Sequence, residues 1–491
     1  MSPPIQLAAS QEDENTHKSP LSCCAPGFFS KYFTCSRSSS TTRDQPYPFY
    51  NDISDSNKFI YSAMAHPEES LPCYQDVVDS LRKLDLMCTK DVQDIIHKQI
   101  DSIQEELRAI SLDLHEHVET GMKEVHAHQV LTDYLEKKGF KVTRHAYGMK
   151  TAFMAEYSHG QKSDGRRIGV CSEYDGLPGL GQGCGHNLIA ISGVATVMGI
   201  KAALESGNVS GKVVLFGTPA EELSVGKIEL CRKKAFQDNV DVCVMLHPTS
   251  SDQQYAAFIA VHDVRVEFFG KASHAAAAPW EGVNALDALI QVWNGISMMR
   301  QQLLPTDRVH GIVTDGGQAP NIIPEHTSAF FFIRTTRADQ INRLVQKMEA
   351  IFEAAALATG CQVKYTWREI GVTKDVIQNR PMADVYAEHM RRFGIEFPSE
   401  EEQIRMGGGS TDMGNVSYEM PVIHPTYGIH TTAANHTVEF TKAAKTMEAH
   451  HDTLRAAKGL AATGVEVLLN DALYQRIKED YERSIKKVQK A

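Results

Sequence analysis

A chain of 491 residues is longer than one ordinary hydrophobic core, and at roughly 150 residues per domain it should divide into two or three. Its formal net charge of −11, from 50 Lys and Arg against 61 Asp and Glu with no dense basic stripe, argues against nucleic acid as a partner. Ten cysteines are spread thinly, without the density or short spacing of a disulfide scaffold, which points to a reducing, cytoplasmic setting, and the longest mostly apolar run, Leu188 to Ile200, is too short and interrupted to span a membrane.

Residues 1–68 are rich in Ser, Thr, Pro and Asp, with SRSSSTTRDQPYP at 36–48, and are expected to form a disordered tail. Cys23, Cys24 and Cys35 lie there near Phe28, Phe29 and Phe33, a weak signal for acylation without an adjacent membrane segment. Folded structure should begin near Tyr74. Apolar residues at helical spacing from Asp91 to Leu114 predict one amphipathic helix, and a second runs from about Val125 to Lys138 and stops at Gly139. Phe140 to Val142 and Ala152 to Tyr157 supply strand material. Histidines 115, 117, 126 and 128 crowd this region on polar positions, which favours a solvated cluster over a metal site.

The stretch CSEYDGLPGLGQGCGHNL, Cys171 to Leu188, packs acids, glycines, a cysteine and a histidine between two apolar runs. Arg167 to Cys171 reads as a buried strand, and Asn187 as the N-cap of a helix from Leu188 to about Leu204. Cys184 and His186 therefore fall in the turn between them, where two-residue spacing lets a thiolate and an imidazole converge on one ion. A buried cysteine beside a structural histidine is the plainer alternative. Lys212 to Thr218 is a second strand, running into Pro219, Ala220, Glu221 and Glu222. In an extended turn neighbouring carboxylates point apart, so one can bind a metal while the other serves as a base; a solvated acidic helix start is the competing reading. Asp241 to Leu246 is a third strand and delivers His247. Sites in open α/β sheets form outside the carboxyl ends of strands, and three successive strands here end in Cys184/His186, Glu221/Glu222 and His247. Sulfur, imidazole and carboxylate together suit zinc or manganese.

From about residue 257 the pattern becomes β-α-β-β-α-β: Val264 to Phe269, Asn284 to Leu303, Gly311 to Val313, Ser328 to Arg334, Asp339 to Ala358 and Cys361 to Trp367. The expectation is an α/β catalytic domain at 69–256 and 373–491, interrupted by an inserted α+β sandwich at 257–372. The α/β pattern resumes with a helix near Met382 to Phe393, GGGSTD at 407–412, a strand at Pro421 to Ile423, and Asn435-His436-Thr437. A long helix from about Ala443 to Leu468 closes the core, and the charged helix ending near Lys490 reads as a solvated face.

With EYDGLPGLGQGCGHNL, GTPAEE, GKASHAAAAPWEGVNALDA, PNIIPEHTSAFFFIR, GSTDMGNVS and NHTVEF in order, residues 90–485 resemble the dinuclear metallopeptidases of the aminoacylase, carboxypeptidase G and indole-acetyl-amino-acid amidohydrolase family. The resemblance implies that Cys184, His186, Glu222, His247 and His436 hold two divalent metal ions, zinc or manganese, with Cys184 bridging. It further implies Glu221 as general base and Asp175 as the acid orienting a ligand histidine. His274 would reach into a partner subunit's site, and Asn321 and Arg334 would hold the substrate carboxylate. The inserted domain would then be a lid and dimerisation domain of a homodimer. Departures are Glu173, where one branch of the family has a ligand histidine, and the absence of that branch's bridging aspartate; His424 and His430 also lie near His436.

The function implied is metal-dependent hydrolysis of an amide bond in dipeptides with a basic C-terminal residue: Lys, Arg or ornithine. Hydrolysis of N-acyl amino acids is the alternative within the family, and a catalytically silent scaffold the alternative outside it. A nicotinamide site fails because the glycines at 176–185 lack the G-x-G-x-x-G spacing.

Overall fold

The computed structural model describes residues 86–160 and 165–490. The expected tail at 1–68, with Cys23, Cys24 and Cys35, lies outside the described residues.

The larger part is built on a six-stranded sheet of β1 (Lys141–Arg144), β2 (Phe153–His159), β3 (Arg167–Ser172), β4 (Gly211–Gly217), β5 (Val242–Val244) and β11 (Val422–Ile423), in the order β1-β2-β4-β3-β5-β11. β3, β4, β5 and β11 run parallel, whereas β2 pairs antiparallel with β4 and with β1, so the sheet is mixed. The parallel strands are continuous apolar runs because helices cover both faces. Their central helix, His186–Glu205, is buried almost all round between β3, β4 and the helices Lys90–Ser102 and Met447–Leu469. By length and hydropathy this helix could cross a membrane, yet 89% of its apolar window is buried inside the fold. It is the core helix of the sheet.

The second unit is an antiparallel sheet of β7 (Ala260–Phe269), β8 (Arg308–Asp315), β9 (His326–Thr335) and β10 (Gln362–Trp367), in the order β10-β7-β9-β8. Strict alternation puts Val264, Val266 and Phe268 of β7 and Ala329, Phe331 and Ile333 of β9 on one face. Helices Ala285–Met299 and Ile341–Thr359 cover that face with Leu289, Val292, Leu344, Met348 and Phe352, giving a core separate from that of the larger sheet. Arg334 belongs to the opposite, helix-free face with Phe330 and Phe332. β8 is an edge strand, and its Ile312 and Val313 are exposed, as are Ile290, Trp293 and Met298 on the adjoining helix. The chain order of this unit is the expected β-α-β-β-α-β.

Several boundaries differ from the sequence reading. The helix expected from Asp91 to Leu114 is two, Lys90–Ser102 and Gln104–Glu116, broken at Ile103 (φ −110°, ψ 7°). The helix expected from about Ala443 to Leu468 is present as Met447–Leu469, capped by the Thr446 hydroxyl, and a short helix the sequence reading lacked, Val438–Ala443, precedes it. Asn187 is no N-cap: Gly185 holds that position, and Asn187 donates from the buried first turn to Ser111 Oγ (2.9 Å) and Ala444 O (3.0 Å). The last helix, Asp471–Lys490, is not wholly a solvated face, because Leu473 and Ile477 are buried and Asp480 accepts from Arg380 N.

Candidate metal and catalytic centre

Register alone brings the chemistry together. Ser172 at the end of β3 lies opposite Gly217 at the end of β4, and Val170 opposite Val244 of β5, so the loops that follow leave the same edge of the sheet. After β3 the chain turns through Glu173 and Asp175 to Cys184. Gly185 then adopts φ +76° to start the central helix at His186, and a Cβ there would stand 2.8 Å from Pro248 Cγ, so the position needs glycine twice over. After β4, Ala220 enters the left-handed region (φ +60°) and sets Glu221 and Glu222 on the single helical turn Glu221–Ser224. His247 opens β6 (His247–Thr249), which pairs with β12 (Thr426–Gly428). His436 comes from the loop beyond β12 at φ +65°, fixed by donation from its N–H to Gly183 O at 2.7 Å.

The result is two overlapping triads. Cys184, His186 and His247 offer donor atoms within 4.8 Å of one another, and so do Cys184, Glu222 and His436, with Cys184 common to both. Cys184 Sγ is 3.4 Å from His247 Nε2; Glu222 Oε1 is 3.4 Å from His436 Nε2 and 3.7 Å from His186 Nε2. Donors that share a small divalent ion at tetrahedral angles stand about 3.3–3.7 Å apart. His186 Nε2 and Glu222 Oε1 are buried and make no hydrogen bond, a costly arrangement that a cation would relieve. His186 and Cys184 are buried and the Glu222 side chain is only 7% exposed, while His436 is exposed, so the group opens to solvent on one side.

The electrostatics fit the same occupant. Burial, then the Glu222 and Glu221 carboxylates, push the Cys184 thiol well up, so that a thiolate here requires added positive charge. Burial and the neighbouring His186 lower His247 to about 4, which keeps its ring neutral and able to ligate. Burial opposes charge on His186, but the Asp175 carboxylate outweighs it and holds the ring well above its ordinary value. Asp175 accepts from His186 Nδ1 at 3.0 Å with one oxygen and from Glu222 N at 3.0 Å with the other, which aims Nε2 at the cluster and fixes the start of the acidic turn. Glu221 is pushed well up by burial, then by Glu173, Glu222 and Asp412.

His430 is taken by Asp452, and His424 is buried behind His247, its ring edge-on at 5.8 Å and stacked on Phe258 at 4.8 Å. Neither converges with the triads. His274 and Asn321 occupy adjoining exposed turns of the inserted unit, joined by Ala275 N donating to Asn321 O at 3.0 Å, and neither hydrogen-bonds to the metal-type cluster. His274 Nδ1 accepts from the Ala276 and Ala277 amides at 3.2 and 3.1 Å, which leaves Nε2 as the protonated nitrogen facing out. Arg334, on the helix-free face, donates from Nη1 to Ser410 Oγ at 2.9 Å and from Nε to His310 Nε2 at 3.3 Å, linking the insertion to the GGGSTD loop.

Some participants are not visible in the sequence. Lys227 is fully buried; its ammonium bonds Glu173 and Asp412 Oδ1 (2.6 Å), and its amide donates to Asp412 Oδ2 at 2.8 Å. Asn435 donates to Pro248 O at 3.1 Å and steadies the His436 loop against the His247 strand. An Asn before His436 was a signal; a lone Lys on a short helix was none. Of the four crowded histidines, His128 is buried and stacks on His145, with burial lowering it to about 4, so the expectation of a solvated cluster fails there. His117 and His126 do remain at the surface, both against Asp113.

Residues 261–360 match the peptidase dimerisation domain family. Over 401 residues the chain is 42% identical to the Xaa-Arg dipeptidase of Mus musculus, covering 80% of this chain and 92% of that protein. It is 26% identical to a p-aminobenzoyl-glutamate hydrolase chain of Escherichia coli (strain K12), covering 80% and 95%. Among solved structures, a dinuclear metal-binding peptidase of the M20 family from Bacillus subtilis superposes with a TM-score of 0.57 at 19% identity, over 75% of this chain and 99% of that one. An aminobenzoyl-glutamate utilization protein from Klebsiella pneumoniae gives 0.59 at 16% identity, over 76% and 98%. These structural likenesses speak to the fold.

Proposed function

The chain belongs to the M20 peptidase family, and from that premise we propose that it is a metal-dependent dipeptidase acting on dipeptides with a basic C-terminal residue. The observation that carries the reading is the pair of donor triads sharing Cys184 beside a carboxyl group, Glu221, that is left outside both. The 42% identity to an Xaa-Arg dipeptidase supports the substrate class.

Cys184, His186, Glu222, His247 and His436 would hold two divalent ions, zinc or manganese, with Cys184 between them. When bound, the ions supply Lewis acidity that favours ionisation of water and polarises an amide carbonyl. Glu221 takes the proton of the attacking water and returns it to the leaving amine, a relay suited to a carboxyl group whose surroundings raise its proton affinity. His274, with Nδ1 committed to two amides, presents Nε2–H as the donor for the oxygen on which negative charge develops. Arg334 and Asn321 grip the substrate's terminal carboxylate, the guanidinium through its fixed fork, and so orient the amide. Because His274 sits exposed on the inserted unit, it would serve the site of a second subunit in a homodimer built on that unit. The exposed Ile312 and Val313 on the open edge of β8 support such pairing.

Hydrolysis of N-acyl amino acids is the second reading, favoured by the 26% identity to an aminobenzoyl-glutamate hydrolase chain. A silent scaffold is disfavoured by the intact Glu221 and donor set. A hydrolysis screen of the purified protein with added zinc or manganese decides: dipeptides ending in Lys, Arg or ornithine should be cleaved best. Preference for N-acyl amino acids, or no turnover of either, overturns the reading.

A further inference from the structure

Glu173 is fully buried at the end of β3, and its two oxygens have different fates. Oε1 is bonded to the Lys227 ammonium, whereas Oε2 makes no hydrogen bond and stands 3.4 Å from His186 Nε2, itself buried and without a hydrogen bond. That spacing is what two donors show when they share one ion. Glu173, His186 and Glu221 together offer donor atoms within 4.8 Å of one another. Lys227 is held in turn by Asp412, through both Nζ and the backbone amide. An ammonium anchored in this way cannot swing off with its partner, so Glu173 keeps one oxygen pinned and the other aimed at the cluster.

We propose that Glu173 Oε2 is an additional ligand to the ion held by His186, and that Lys227, fixed by Asp412, is the positioning residue that presents it. The proposal rests on the two-metal reading above. It also gives the buried lysine a purpose: without it, Glu173 and Asp412 would be two uncompensated carboxylates behind the site. The pair is joined to the substrate end of the molecule as well, since Asp412 and Ser410, the partner of Arg334, lie on one loop.

The test uses the full chain as wild type, Glu173→Gln, Lys227→Met and the double variant. Each is loaded with zinc or cobalt(II), dialysed, assayed for metal by elemental analysis, titrated against a competing chelator, and followed by visible absorption of the cobalt form. Thermal melting of the metal-stripped proteins checks folding, and the double variant is made on an Asp412→Asn background, so that the buried trio is neutral throughout and guards against a misfolded single. Wild type should hold two ions. Glu173→Gln and Lys227→Met should each weaken one of them by about 10-fold or more, and lower coordination at that ion should strengthen the cobalt bands. The double variant should fold and still bind that ion weakly. The proposal is overturned by wild-type affinity and cobalt spectrum in Glu173→Gln, or by recovery in the double variant, which would mean that Glu173 only neutralises Lys227. A wild type that binds no divalent ion overturns the two-metal reading along with it.

Discussion

The two sheets carry their candidate functional residues in opposite ways. At the edge of the larger sheet, Cys184, His186, Glu222 and His247 are brought within a few ångströms by parallel register, are mostly buried, and have supporting partners in the same chain, Asp175 and Asn435 among them. On the inserted unit, His274 and Asn321 stand on exposed turns, and Arg334 reaches only as far as the Ser410 loop. A buried donor set can be complete in one chain because burial makes an unpartnered polar atom costly, and converging donors left without one call for a cation between them. Exposed groups are under no such pressure and can be held ready for a surface that arrives from outside.

That contrast can be broken first at Glu221 and Glu222, neighbours assigned different work. Glu221→Gln should keep its metal and lose at least about two orders of magnitude in kcat, the usual scale for a lost general base. Glu222→Gln should lose metal. Elemental analysis beside steady-state kinetics reads both, and equal metal content with equal loss of activity in the two would contradict the division. A smaller effect is expected at Arg334→Lys on the inserted unit, since an ammonium cannot reproduce the planar fork. KM should rise by about 10-fold, on the scale of one charge-assisted hydrogen bond, with metal content unchanged. Loss of metal there would mean that the insertion helps to build the ion site.

An effect outside the site appears in acid and belongs to the buried core. Burial, with Arg392 and His97 adding to it, lowers His389 to about 3, below the roughly 6.5 of an unfolded histidine. The folded state therefore binds fewer protons than the unfolded one in this range. The stability this group contributes is complete above about pH 6.5 and is lost as pH falls towards 3, at up to about 1.4 kcal/mol per pH unit. Melting of the metal-stripped protein should fall more steeply from pH 6.5 to 5 in wild type than in His389→Phe. Parallel curves would count against a neutral buried ring.

What could be read in the sequence follows the same divide between local and long-range causes. The ends of β3, β4 and β5 were legible because apolar runs stop where Cys184/His186, Glu221/Glu222 and His247 begin, and a parallel sheet gathers such ends without further information. The inserted unit was legible from its alternation and element order. The break at Ile103 was not, because Ile100, Ile103 and Leu107 keep helical spacing across it and are all buried. Asn187 looked like a cap, but its amide had tertiary partners in Ser111 and Ala444 that local preference does not contain. Lys227 was the least legible of all: its meaning depends on Glu173, 54 residues before it, and Asp412, 185 after it.

The claim that one region is complete and the other awaits a second copy of the chain is tested most directly by complementation. His274→Ala and Glu221→Gln chains, each inactive but metal-loaded, are mixed and allowed to exchange subunits, with exchange verified by mass. If His274 serves the neighbour's site, each mixed dimer has one site with Glu221 from one chain and His274 from the other, and activity should return towards about one quarter of wild type, from statistical mixing of half the dimers with one working site each. Verified exchange with no return of activity would contradict the account and place His274 in its own subunit's site or in none.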